Sequence, residues 1–171
     1  MLKREQARVL ALQALYQWDL RGEEFAQAAD EFLAESTKDA EIYFFARELT
    51  FGAWNFREKS DVLIRDAAAH WDVGRMAAVD RNILRLAVYE MTGRTDIPAR
   101  VAIDQAIELA KRFGAAESGA FVNGILDHVL RAAGLAETDA ASPPADPHAE
   151  LPTRPSSAPK HKPEPNHWDE E

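Results

Sequence analysis

The chain has no cysteine, so a disulfide framework, a zinc-thiolate site and a thiol nucleophile are all excluded. Proline is scarce where structure is expected: Pro98 is the only proline in the first 135 residues. Long helices can therefore run there without the break that the missing N–H and fixed ring impose. No stretch approaches the ~20 consecutive apolar residues that a membrane-spanning helix needs. The positively charged start and the apolar run Val9 to Leu12 resemble a secretory leader. Gln13, Gln17 and Asp19 interrupt that run and no small-residue cleavage site follows, so a cytoplasmic chain with no membrane partner is expected. Positive charge is also in deficit. The formal net charge is −9, with 17 basic against 21 acidic residues in positions 1–135 and 3 against 8 in the remainder. Such a chain cannot hold nucleic acid through its overall field, so any nucleic-acid contact must use a local basic patch.

What the first 135 residues do contain is helical periodicity, and the predicted fold class is all-α. A first helix is expected over 2–20, with Ala7, Ala11, Ala14 and Trp18 in one apolar row and Gly22 as its stop. A second is expected over 23–35, and a third up to Ala53 with Asp39 as its cap. A fourth covers roughly 55–71, with Asp61 and Arg65 as an exposed pair. A fifth spans 75–93, where Glu90 and Arg94 are spaced for a charge pair. The sixth starts at Asp96-Ile97-Pro98 and stops at Gly114, and the seventh begins at Glu117-Ser118 and ends before Gly134. About seven helices in ~135 residues imply a bundle.

The other eight prolines all lie after Ala136, among alanine, serine and charged residues. The domain boundary is therefore placed at 135/136, with 136–171 read as a Pro-rich disordered tail whose Trp168 fits no pattern.

No catalytic constellation is visible. His70 and His128 occupy unrelated places, and there is no paired-histidine metal spacing, phosphate-binding glycine loop or serine elbow. We assign no catalytic role, no cofactor and no metal. Lys3, Arg4 and Arg8 crowd the first turns of helix one, where the helix dipole disfavours positive charge by ~0.3–1 kcal/mol each. Arg4 and Arg8 are four apart and align with Ala11 and Leu15, which suits a basic strip that prolongs the apolar face and meets phosphates. The same spacing suits plain solvation or pairing with carboxylates such as Glu5. Phe121-Val122-Asn123-Gly124 sets an amide and a glycine inside a regular helix, where the glycine costs about 1 kcal/mol. Close helix packing over Gly124 explains that choice. So does a smooth surface where a base approaches Phe121 and bonds to Asn123.

Three segments together carry a resemblance. Ala7-Arg8 through Ala11-Leu12-Gln13-Ala14-Leu15-Tyr16 resembles the first helix of the NusB family. Asp80 to Glu90, then Ile97-Pro98 and Val101 to Lys111, is similar to that family's central signature, and Phe121-Val122-Asn123-Gly124-Ile125-Leu126-Asp127 resembles its closing motif. The resemblance implies two packed three-helix bundles in a monomer or weak homodimer. It implies a partner, the small-subunit ribosomal protein NusE, and binding of the pair to boxA RNA in nascent ribosomal RNA. It also implies a place in the RNA polymerase elongation complex with other Nus factors, where the pair aids read-through of terminators. By motif position the RNA side would be Lys3, Arg4, Arg8, Gln13, Tyr16, Glu117, Phe121 and Asn123, and Asp80 would face NusE. Arg85, Tyr89 and Glu90 match signature positions and read as structural. Family members open with a denser arginine run, which Glu5 and Gln6 interrupt here.

Two other readings stand beside this one. A protein-binding scaffold would keep the NusE surface with weak or absent boxA specificity. A ribosomal RNA cytosine methyltransferase has a similar N-terminal domain, but its activity requires an α/β cofactor domain and a catalytic cysteine.

Overall fold

The computed structural model describes residues 2–136, and the expected tail from residue 137 onward lies outside the described residues. Among them are eight α-helices and no strand: α1 (Lys3–Arg21), α2 (Glu23–Ala26), α3 (Ala29–Ser36), α4 (Ala40–Asn55), α5 (Arg57–Ala67), α6 (Ala78–Val88), α7 (Ala99–Phe113) and α8 (Ser118–Ala132). Local chemistry sets most boundaries. Gly22 adopts φ 65°, a left-handed conformation that suits glycine, and its N–H donates to the Trp18 carbonyl at 2.8 Å, closing α1. The Asp39 side chain accepts from the N–H groups of Glu41 at 2.9 Å and Ile42 at 3.2 Å, opening α4.

Three expected helices are cut differently. The helix expected over 23–35 is two, because the Ala28 N–H bonds back only three residues to Phe25, a tighter turn that separates α2 from α3. The helix expected over 55–71 stops at Ala67, where Ala68 leaves helical geometry at φ −105°, ψ 58°, so Trp71 sits on an irregular segment. The helix expected over 75–93 is a 3-10 turn at Val73–Arg75, then α6, then a π-helical turn at Tyr89–Gly93.

α6 is buried along Ile83, Leu84, Leu86, Ala87 and Val88. It packs against α1 and α4 on one side and α5, α7 and α8 on the other. α1, α3 and α4 contact one another, and α5, α7 and α8 close around α6, so the two expected bundles share α6. Trp18 of α1 stacks on Trp54 of α4 at 4.6 Å and meets Phe25 and Phe51 edge-on. A hub of charge ties the bundles together. Asp19 accepts from Arg81 at 2.7 Å, Asn82 at 3.0 Å and Arg85 at 3.2 Å, and Arg85 also forks onto Asp61 at 2.7 and 2.8 Å. Asp61 is thus committed to Arg85 and not to the expected Arg65. Burial pushes the Asp19 carboxyl up, but donation from Arg81 and Asn82 and the charge on Arg85 outweigh it and hold its pKa below the usual 3.8.

Candidate nucleic-acid interface

The first turns of α1 carry the expected cations, and each has a different fate. Lys3 is exposed but held, with its ammonium 2.8 Å from Glu41 and 3.0 Å from Asp39. Donation to Glu41, then to Asp39, raises its pKa. Arg4 is exposed and lies over the Phe45 ring at 4.7 Å, and it makes no ion pair among the described residues. Arg8 is only 3% exposed and forks onto the equally buried Glu90, Nε at 3.0 Å and Nη2 at 2.8 Å. The expectation that Arg4 and Arg8 form one strip beyond the core is therefore corrected. The helical phase is right, but α4 and the π-helical turn cover the second turn of α1, so Arg8 is a buried tie. The π turn also dissolves the expected Glu90 and Arg94 pair. Its wider turn takes Arg94 out of register, and Arg94 binds Asp96 at 2.9 Å and Glu48 at 3.4 Å. Glu5, the acid inside the basic run, serves the helix itself. Its carboxylate accepts from the Leu2 N–H at 3.2 Å, at the end where the helix dipole favours negative charge.

Gln13 and Tyr16 lie two to three turns further along α1 and are exposed. With Leu12, Val79 and Phe113 they line an apolar groove of about 350 Å³. On the other side of the first turn of α6 lies a second pocket of about 460 Å³, and it brings together Asp80, Glu117 and Phe121. Val79 belongs to the first pocket and Asp80 to the second, so the start of α6 separates them. Asp80 is half-buried, and its Oδ1 is enclosed with no hydrogen-bond partner among the described residues. Glu117 precedes α8 and is exposed. The structure therefore groups Gln13, Tyr16, Asp80, Glu117 and Phe121 around the start of α6, and leaves Lys3 and Arg4 at the far end of α1. Tyr16 lies thirteen positions beyond Lys3, about 20 Å of helix rise.

Asn123 and Gly124 are exposed on α8, and a Cβ added at Gly124 would meet nothing within 4 Å. Packing over Gly124 is thus ruled out as its reason, and the bare outer face of α8 beside Phe121 is what the glycine leaves. Sequence reasoning missed Trp71 and Arg75, which line the pocket of Asp80, Glu117 and Phe121. The signal was a bulky aromatic outside every inward-facing row. The arrangement offers stacking faces, carboxylate and amide edges and few unpaired cations.

The NusB family model matches residues 5–131. The transcription antitermination protein NusB of Symbiobacterium thermophilum is 48% identical over 138 residues, covering 76% of this chain and 90% of that protein. A solved structure of T. maritima NusB aligns at TM-score 0.68 and 40% identity, over 75% of this chain and 90% of its own. A solved complex of the antitermination factors NusB and NusE with double-stranded RNA aligns at TM-score 0.67 and 31% identity, over 77% of this chain and 99% of its own.

Proposed function

Because the chain belongs to the NusB family, we propose that it is a transcription antitermination factor. Together with ribosomal protein NusE it binds boxA RNA of nascent ribosomal RNA and promotes read-through by RNA polymerase. The observation that carries this reading is the family match over 5–131, which takes in every candidate residue except Lys3 and Arg4. Residues 1–135 are the RNA-binding domain, with Asp80 facing NusE, with Lys3, Arg4, Gln13, Tyr16, Glu117, Phe121 and Asn123 on the RNA side, and with Arg8 as the buried tie between α1 and the π turn. The role is that of a cytoplasmic adaptor without a catalytic step, a monomer or weak homodimer. No helix among the described residues is long and apolar enough to cross a membrane. Net charge −9 suits a basic protein partner that supplies part of the phosphate attraction.

Transcription of a template with boxA upstream of a terminator tests the reading. The chain with NusE is expected to raise read-through, and scrambling boxA to abolish the gain; a gain independent of boxA contradicts it. One observation favours a protein-binding scaffold as second reading: Lys3 and Arg8 are already committed to Asp39, Glu41 and Glu90. In that case NusE binds and boxA is never preferred over scrambled RNA.

A further inference from the structure

Trp71 is 60% exposed on the segment between α5 and α6, away from the core. Its ring meets Phe121 edge-on at 5.5 Å and 70°, which makes an aromatic corner at the mouth of the 460 Å³ pocket. Arg75 lines the same pocket, is exposed, and makes no ion pair among the described residues. The backbone between these two side chains is held firmly. The Trp71 N–H donates to the Ala68 carbonyl at 2.8 Å, the Asp72 side chain accepts from the Gly74 N–H at 2.9 Å, and the Arg75 N–H donates to the Asp72 carbonyl at 2.9 Å. From beneath, Arg81 Nη1 donates to the carbonyls of Val73, Gly74 and Met76 at 3.3, 3.4 and 3.1 Å, while its other nitrogens grip Asp19. An exposed tryptophan on a clamped turn is a preorganised platform, since little ordering entropy is lost when a ligand stacks on it.

We propose that Trp71 and Arg75 form a subsite for one nucleotide of single-stranded RNA. The base stacks on Trp71 against the Phe121 corner, Arg75 meets its phosphate, and the exposed Glu117 carboxylate accepts from an amino edge such as cytosine N4. The inference rests on the RNA-binding reading above and extends it to residues that the family resemblance did not supply. The pocket also holds the Asp80 and Glu117 carboxylates, so the subsite is confined to its Trp71 corner. There the exposed ring and Arg75, which has no ion pair among the described residues, offer a base a stacking face and its phosphate a cation.

Tryptophan emission tests it directly. Trp18 and Trp54 are 5% and 9% exposed and stacked on each other, and Trp168 is replaced in every arm as Trp168→Phe. A boxA oligonucleotide, labelled for anisotropy, is titrated into the full chain with and without NusE. The expected result is quenching of the exposed emission in step with binding, lost in Trp71→Phe. Trp71→Ala is expected to bind about tenfold more weakly at unchanged melting temperature, Trp71→Tyr to retain affinity, and Arg75→Gln to flatten the log-log salt slope by about 0.7. RNA binding by anisotropy with unaltered emission and unaltered Trp71→Ala affinity overturns the subsite while leaving the RNA-binding reading intact. Quenching by NusE but not by RNA overturns it in favour of a protein-binding pocket. Absence of RNA binding in every variant overturns the reading and the subsite together.

Discussion

Removing the Arg8 guanidinium would leave the Glu90 carboxylate, 1% exposed, without its partner. Breaking one side of a buried pair costs about 3–5 kcal/mol, whereas replacing both sides with apolar groups of similar volume is often close to neutral. Arg8→Met is thus expected to lower the free energy of urea unfolding by that amount, and Arg8→Met with Glu90→Met to recover most of it. Equal losses in the single and double variants would show that the stranded Glu90 carboxylate is not the source of the cost. The same residue shows where sequence reading stops. The spacing of Arg4, Arg8, Ala11 and Leu15 gave the correct face of α1, but how far along that face the core extends depends on α4 and the π turn, which lie far away in sequence. Asp61 with Arg85 and Asp19 with Arg81 were illegible for the same reason, since four-residue spacing finds pairs within one helix and not between helices.

At the scale of elements, α4 and the π turn approach closely at Gly52. A Cβ at Gly52 would stand 2.1 Å from the Tyr89 hydroxyl and 2.2 Å from its Cζ. Gly52→Ala therefore forces the Tyr89 ring out of its place beside Phe56, at an expected cost of about 1–3 kcal/mol. In a Tyr89→Ala background the same change is expected to cost at least ~1 kcal/mol less, measured as a double-mutant cycle by denaturation. Additive losses would contradict the contact. Caps and stops were the legible part of the elements, because Asp39, Gly22 and Gly114 act through neighbours in sequence. The π turn and the end of α5 before Trp71 were not legible, since 3.6-residue periodicity continues through both. As a result Trp71, whose ring is set by that early end, was read as the tail of a helix.

For the whole molecule, the Asp19 hub joins α1, α5 and α6, and its carboxyl titrates below the ordinary 3.8. A depressed carboxylate stabilises the fold above its unfolded pKa, and that contribution fades as pH falls through the folded value. Stability measured by urea unfolding is thus expected to drop below about pH 4, and Asp19→Asn to remove part of that drop; an unchanged acid limb would contradict the hub. The all-α class was readable from composition and periodicity, and the two-bundle plan from the family resemblance. The candidate interface was readable only in part, because it gathers Tyr16 of α1, Asp80 of α6, and Glu117 and Phe121 at the start of α8 from three separate places in the chain. The central claim is an acidic adaptor that reads RNA by stacking and edges, with few free cations. It is tested most directly by boxA and scrambled RNA binding across a salt series, with and without NusE and with Arg4→Ala alongside. Preference for boxA is expected, with tighter binding in the presence of NusE, a shallow slope of about −1 to −2 for the chain alone, and a further flattening in Arg4→Ala. Equal affinity for both RNAs in every condition, or a steep slope untouched by Arg4→Ala, would contradict it.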